Sequence, residues 1–348
     1  VILIIKQEFD QLEVDNLINE LVEYSIPHNL VHAYGKTLIH SEASYKDKIL
    51  ALNQSSIIER LVPSGSEYIF ASRAFKPEQT IIDVKGIGIG DPNYVNIIAG
   101  PCSVENENQL LLTANELRRH NIKFIRGGAH KPRTSPYSFQ GLGTKGLQII
   151  REIADDNDLR IITEVIDTTL IDEVCKYADV LQVGSRNMQN YYFLKELAKT
   201  DKPILLKRGM YSKVEEWLLA AEYILSSGNA KVILCERGIR TFDNLLRNTM
   251  DIAAIPLVKS LSHLPVIADP SHGTGMRNLV TPLAGASIAA GADGVMIEVH
   301  PNPELALSDG EQSLYLEQLD SFIQHTSAIA AAVNKKLDTS INYKYNLK

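Results

Sequence analysis

Eight short, β-rich apolar runs in this chain each finish on a residue that can bind, ligate or transfer a proton. The runs are VNIIAGPCS, FIRGGAH, IITEV, VLQVGS, PILLKRG, VILCERG, PVIADPSH and GVMIEVH, and their terminal residues include Cys102, Arg126, Glu164, Ser185 with Arg186, Lys207, Arg237, His272 and Glu298. Any one of these has an ordinary explanation, because strand ends near water often carry polar residues. Nearly every run ending this way does not. The residues sort into two chemistries. Cys102, His272 and Glu298, joined by Asp309 after the last run, offer a thiolate, an imidazole and two carboxylates. That set suits a borderline divalent cation such as Mn2+, Fe2+, Co2+ or Zn2+ better than Mg2+ or Ca2+. The four come from distant positions, so no local ligand spacing supports them. Cys102 could equally be a buried core thiol, His272 could orient a neighbour or bind substrate, and Asp309 in SDGEQS could cap a helix.

The second subset is basic: Arg126, Lys131, Arg133, Arg186, Lys207 and Arg237. Unpaired like charges gathered at one rim cost several kcal/mol each, in order of magnitude, to desolvate. Such a group implies a ligand set with several negative charges, for which two phosphates and a carboxylate are a match. Glu164 and Glu236 could neutralise one or two of the cations, not all six. Arginine forks suit bidentate contacts to phosphate and carboxylate, whereas lysines act as point charges. The segment GGAHKPRTSPYSFQGLG follows the second run, and its Lys131, Arg133, Thr134 and Ser135 could cradle one phosphate. Asn187, Ser271 and Thr274 add neutral donors nearby.

These residues reach one another only if the fold brings run ends together. Helical stretches such as NENQLLLTANELRRH, GLQIIREIADDN, LIDEVCKYA and KVEEWLLAAEYILSS separate the runs. Eight strands alternating with helices across residues 94–335 match an α/β fold of the closed (β/α)8 TIM-barrel type, whose strand ends share one mouth. An open doubly wound sheet would rarely need eight such regular units. Residues 76–93 read as a connector hairpin with alternating Ile/Val and Gly; GIGIGD does not match the GxGxxG spacing and no helix follows it at once. Residues 1–75 read as a small βαββαβ module, ferredoxin-like or ACT-like, with two strands turning at Tyr34-Gly35 and YIFASRAF as the closing strand. Such a module could be regulatory or a structural cap. Residues 336–348 read as a loosely attached polar tail.

Composition narrows the function class. With 45% hydrophobic and 22% charged residues the chain can bury a large core, and a net charge of −7 argues against nucleic acid or an acidic membrane surface as partners. The three cysteines, Cys102, Cys175 and Cys235, make no disulfide framework, which points to a reducing, cytoplasmic compartment. VILIIKQEFDQLE turns acidic early and shows no signal-peptide cleavage site, and no apolar run is long enough to span a bilayer, so a soluble intracellular protein is expected.

The blocks IAGPCSVEN, GGAHKPRTSPYSFQGLG, QVGSRNMQN, LLKRGM, CERGIRTF, ADPSHGTG and GADGVMIEVHPNPE, in barrel order from about residue 95 to 325, resemble type Iβ 3-deoxy-D-arabino-heptulosonate 7-phosphate (DAHP) synthase. The N-terminal module resembles the ferredoxin-like domain found on some members. The resemblance implies condensation of phosphoenolpyruvate with D-erythrose 4-phosphate, the first step of aromatic amino-acid synthesis (the shikimate pathway). It implies Cys102, His272, Glu298 and Asp309 as metal ligands, and Arg126, Lys131, Arg186, Lys207 and Arg237 around phosphoenolpyruvate with Glu164 and Ser185 nearby. Lys131, Pro132, Arg133 and Thr134 would hold the aldose phosphate, with Lys131 as proton donor. It also implies feedback inhibition by tyrosine or phenylalanine and a homo-oligomer, often a tetramer. The related 3-deoxy-D-manno-octulosonate 8-phosphate synthase typically reads KANRSS where this chain has KPRTS, which favours the four-carbon sugar. A catalytically silent phosphoenolpyruvate-sensing barrel would not need Cys102. No chorismate mutase helix set is visible.

Overall fold

Val1–Ile5 is an unbroken aliphatic run with no polar residue to alternate with, so both of its faces must be covered. In the computed structural model, which describes residues 1–340 other than 7, 34–35, 53–55, 63–66 and 134, this run supplies the inner strand of a small antiparallel sheet. The module comprises β1 (Ile2–Ile5), α1 (Gln11–Glu23), β2 (His28–Ala33), β3 (Lys36–Ser41), α2 (Lys46–Leu52) and β4 (Ile58–Val62), with strand order β2-β3-β1-β4. Asp10 starts α1 by accepting from the Leu12 N–H at 3.0 Å. One face of the sheet buries Leu3, Ile5 and Ile39 with Val14, Leu17 and Leu21 of α1 and Ile49 of α2. The other face, through Ile2, Ile4, Leu38 and Val62, joins the apolar cluster that continues into the barrel.

The closing strand is not YIFASRAF. Ile58–Val62 takes that place beside β1, and residues 69–75 form turns instead. Two facts account for this. β-branched Ile58 and Val62 suit a strand, and β1 presents an unpaired edge to them. Meanwhile Phe70 and Phe75 turn inward against the barrel, and the Phe70 and Ala71 N–H groups donate to the Glu222 carboxylate, both at 2.9 Å. The Tyr34-Gly35 turn lies outside the described residues.

The connector folds as a hairpin, β5 (Ile82–Val84) and β6 (Ile87–Ile89). Lys85 and Gly86 between them have φ of 50° and 83°, the tight reversal that matches strand twist. Ile82, Val84, Ile87 and Ile89 form one buried cluster with the inward residues Ile98, Phe124, Ile162, Leu205 and Met296. The hairpin therefore stoppers the amino-terminal end of the barrel and leaves the opposite mouth as the route in.

The barrel runs β7 (Tyr94–Gly100), α3 (Glu107–Arg119), β8 (Phe124–Arg126), α4 (Thr144–Asp156), β9 (Arg160–Glu164), α5 (Ile171–Tyr177), β10 (Val180–Val183), α6 (Tyr191–Ala198), β11 (Ile204–Lys207), α7 (Val214–Ser226), β12 (Val232–Glu236), α8 (Ala254–Leu261), β13 (Val266–Ala268), α9 (Pro270–Thr274), α10 (Arg277–Ala289), β14 (Gly294–His300), β15 (Leu314–Tyr315), α11 (Leu319–Ala332) and β16 (Lys336–Leu337). Strands β7 to β14 are parallel, and β14 pairs with β7 from Gly294↔Asn96 to Glu298↔Gly100, which closes the ring. All eight carboxyl ends thus face one mouth. No helix among the described residues is long and apolar enough to cross a membrane.

The stretch read as a loose tail is anchored at its start. Lys336 and Leu337 pair with Tyr94 and Val95. The buried Asp338 carboxylate accepts from the Ile97 N–H and from the Asn96 side-chain amide, each at 3.1 Å. Residues 341–348 lie outside the described set. Burial pushes the Asp338 pKa up to about 7 from an ordinary 3.8, so the folded chain holds this proton more tightly than the unfolded chain does. The stability this confers is complete at acid pH and is lost as pH rises through about 7. Asp338→Asn, neutral throughout, should flatten that slope in denaturant midpoints measured between about pH 5 and about pH 8. A variant that tracks the parent at every pH would refute the assignment.

Candidate functional site

Cys102, His272, Glu298 and Asp309 meet at the mouth, with one donor atom from each lying within 4.8 Å of all the others. Cys102 follows the end of β7, where Gly100 is indispensable: a Cβ there would lie 2.0 Å from the Arg126 carbonyl oxygen. His272 sits on α9, which Asp269 both caps and orients. Asp269 accepts from the His272 N–H at 3.0 Å and from its Nδ1 at 2.8 Å, which leaves Nε2 turned toward Glu298 (3.6 Å) and Asp309 (3.8 Å). Burial lowers the His272 pKa, which favours the neutral ring that a metal ligand requires. Glu298, at the C-terminal part of β14, accepts from Arg126 at 2.6 Å and from the Gln312 amide at 2.7 Å. Asp309 has a left-handed backbone (φ 54°) and pairs with Arg247 at 3.3 Å; its side chain caps nothing.

The electrostatics fit a cation. Burial alone would raise Glu298 and Asp309, yet the positive charge of His272 when protonated, with that of Arg126 or Arg247, holds both carboxyls below their ordinary range. Burial, then Glu298, pushes the Cys102 thiol up to about 12. Two carboxylates converge on this thiol and on the Nε2 edge of the imidazole. A divalent ion is what would draw the thiol proton off and hold the group together, and the S, N, O, O donors suit the borderline metals.

Beside the cluster opens a cavity of about 340 Å³. Arg126, Lys131, Arg133, Arg186, Lys207 and Arg237 all line it, together with Pro132, Ser135, Glu164 and Ser185; Thr134 lies outside the described residues. Two of the cations have carboxylate partners, Arg126 on Glu298 at 2.6 Å and Lys207 on Asp269 at 2.5 Å. Lys131 donates to the Cys102 sulfur at 3.1 Å and to its carbonyl at 3.1 Å. Arg133, Arg186 and Arg237 have no carboxylate partner among the described residues. Arg237 is buried, and that burial pulls its guanidinium below the ordinary arginine value. A desolvated guanidinium without a counter-charge is stabilised by an anion.

Neither Glu164 nor Glu236 forms an ion pair with a rim cation among the described residues. Glu236 pairs with Arg208 at 2.9 Å behind the mouth, and Glu164 fills space that Gly184 leaves open, where a Cβ would sit 2.0 Å from Oε1. The neutral donors also point elsewhere. Asn187 donates to the Ile166 carbonyl, Ser271 accepts from the Glu298 N–H, and Thr274 faces the Pro270 carbonyl.

Five residues of the site escaped the sequence reading: Asp269, Ser308, Gln312, Arg240 and Arg247. Asp269 was legible, because an acidic residue three before His272 in DPSH has N-cap spacing. Arg240 stands inside the block CERGIRTF without being singled out, and Ser308, Gln312 and Arg247 lie outside every such block. Arg247 donates to Gln312 at 2.7 Å, and Gln312 in turn donates to Glu298, so a rim cation reaches a carboxylate of the four-donor cluster through one amide. Gln312→Leu should weaken divalent-ion affinity about 10–100-fold, measured by competition with a chelating indicator. Unchanged affinity would mean that Arg126 alone orients Glu298.

Residues 69–335 match the DAHP synthetase I family. Phospho-2-dehydro-3-deoxyheptonate aldolase of Thermotoga maritima is 50% identical over 281 residues, 81% of this chain and 83% of that protein. A 2-dehydro-3-deoxyphosphooctonate aldolase of Nitrosococcus oceani is 30% identical, covering 76% of this chain and 100% of its own. The crystal structure of the Thermotoga maritima aldolase (DAHP synthase) has a TM-score of 0.78 and 43% identity, covering 97% of this chain and 99% of that one. A truncated form of 3-deoxy-D-arabino-heptulosonate 7-phosphate synthase from the same organism scores 0.72 at 47% identity, covering 77% of this chain and 98% of that one. The closed barrel, the blocks at its mouth and these matches agree: the chain belongs to the DAHP synthetase I family.

Proposed function

We propose that the chain joins phosphoenolpyruvate, erythrose 4-phosphate and water into 3-deoxy-D-arabino-heptulosonate 7-phosphate and phosphate. One observation carries this reading: a cavity edged by four arginines, Arg133, Arg186, Arg237 and Arg240, without carboxylate partners among the described residues opens directly onto a partly buried four-donor cluster. Arg186, Lys207 and Arg237, with Arg126, bind the phosphate and carboxylate of phosphoenolpyruvate, while Arg133, beside Pro132 and Thr134, takes the aldose phosphate. Cys102, His272, Glu298 and Asp309 would hold a divalent ion, which would supply Lewis-acid polarisation or positioning of the aldehyde oxygen. Both substrates are thereby held for attack of the enol carbon on the aldehyde carbon. Lys131, which lines the cavity beside Cys102, gives a proton to the oxygen that becomes an alkoxide. Burial favours its neutral amine, but the Cys102 sulfur, Glu164 and Glu298 outweigh this and hold the ammonium above the ordinary lysine value. Water adds at C2 and gives one proton to the amine left on Lys131, and the ketone forms as the C2 hydroxyl passes its remaining proton to the departing phosphate.

The deciding experiment offers four-carbon and five-carbon aldose phosphates side by side with Mn2+, with and without chelator, and follows phosphate release and product. Turnover with the four-carbon sugar, abolished by chelator, is expected. Preference for the five-carbon sugar would indicate the octulosonate reaction, and binding of phosphoenolpyruvate without turnover would indicate a sensor. The ferredoxin-like strand order of residues 1–62 supports a regulatory reading of the N-terminal module; the family resemblance adds tyrosine or phenylalanine as inhibitor and a homo-oligomer such as a tetramer, and the three cysteines without a disulfide framework add a cytoplasmic location. Inhibition by either amino acid that is lost in residues 76–348 alone would support it; equal sensitivity of both forms would exclude the module.

A further inference from the structure

We propose that Ser308 is a positioning residue that relays anion binding at Arg133 to the sulfur of Cys102. The inference rests on the reading of the four-donor cluster as a metal centre. Arg133 Nη1 donates to Ser308 Oγ at 2.7 Å, and Ser308 Oγ lies 3.2 Å from Cys102 Sγ. Ser308 is 4% exposed, whereas Arg133 reaches into the cavity from the loop after β8. The direction of the chain follows from proton count. A hydroxyl has one hydrogen, and a guanidinium cannot accept, so Arg133 occupies an oxygen lone pair and the Ser308 hydrogen is free for the sulfur. A metal-bound thiolate has no hydrogen to give back, which fixes the order as guanidinium to hydroxyl to thiolate.

Linked hydrogen bonds polarise one another, so the Ser308 donation to sulfur is strongest while Arg133 donates to Ser308. Lys131 Nζ, 3.1 Å away, is the sulfur's other side-chain donor among the described residues and has no part in this link. A phosphate seated on Arg133 competes for Nη1 and weakens the first bond. The sulfur then loses hydrogen-bonded stabilisation of its charge and becomes a stronger electron donor to the metal. Arrival of the aldose phosphate is thereby registered at the metal through a residue that touches neither substrate.

The test uses the full chain loaded with Co2+, whose near-ultraviolet sulfur-to-cobalt charge-transfer band reports the donor strength of Cys102. Phosphoenolpyruvate is added first to fill its own anion site, and inorganic phosphate is then titrated as the probe. In the parent protein the band should move to longer wavelength with phosphate. Ser308→Ala should begin at longer wavelength and not respond, and Ser308→Thr should restore both the position and the response. Arg133→Met, a change on the pocket loop that leaves Ser308 in place, should show the phosphate-saturated position without phosphate. Its spectrum decides between relay and no relay even if Ser308→Ala does not fold. A band that ignores phosphate in the parent, or that is the same in the parent and in either Ser308→Ala or Arg133→Met, overturns the relay while the metal reading stands. Absence of any sulfur-to-cobalt band in the parent sinks both.

Discussion

Cys102→Ala is expected to lose its bound divalent ion and, with it, about 10³-fold or more in kcat. Lewis-acid polarisation is worth several kcal/mol, and about 4 kcal/mol corresponds to that factor. The remaining His272, Glu298 and Asp309 still offer three donors, so weak binding at high metal concentration should rescue a small part of the rate. The proton balance gives a second readout. Burial pushes the Cys102 thiol up to about 12, so ion binding at neutral pH must displace its proton. Parent affinity should therefore rise about tenfold per pH unit around neutrality, and that slope should vanish in Cys102→Ala. Metal content after dialysis, together with phosphate release across pH, measures both. A variant that keeps its ion and its turnover would return Cys102 to the status of a core thiol.

Lys131→Met should lower kcat by about 10²–10⁴-fold, the range for loss of a positioned proton donor. Methionine keeps the stem that packs beside Gly128, where the lysine Cδ lies 2.7 Å from a glycine Cβ position. The loss is therefore chemical rather than a packing defect. The lysine also helps bind an anion, so KM for phosphoenolpyruvate should rise, but less than kcat falls. Steady-state kinetics with each substrate varied separates the two effects. If KM alone changed, Lys131 would be a binding residue and the alkoxide proton would come from elsewhere, with water the first alternative. The shift in Lys131 pKa predicts that parent kcat holds up to alkaline pH and declines only above the ordinary lysine range.

Much of this was legible because the barrel imposes a simple rule on its sequence. Each buried parallel strand reads as a short aliphatic run, and the next residue emerges at a shared mouth, so reading only run ends collects Cys102, Arg126, Glu164, Lys207, Arg237, His272 and Glu298 without knowing any distance. The N-terminal module shows where this fails. Residues 57–62 and 68–75 are both apolar and β-rich, and nothing local says which one closes the sheet. The choice depends on the open edge of β1 and on Glu222, which lies far along the chain and takes the Phe70 and Ala71 amides. Likewise the start of the polar tail is held only because Asp338 finds Asn96 and Ile97.

The order of eight strands, the residue types at their ends and the excess of cations over carboxylates at the mouth are properties of the linear chain, since they follow from periodicity and composition. The partners of those residues are not. Which cations are neutralised, that His272 presents Nε2 rather than Nδ1, and that Ser308 and Gln312 stand behind Cys102 and Glu298 are decided by loops arriving from remote positions. Hydrogen bonding and desolvation act over a few ångströms of space, whatever the separation along the chain, so only the folded arrangement sets the charge and direction of each group.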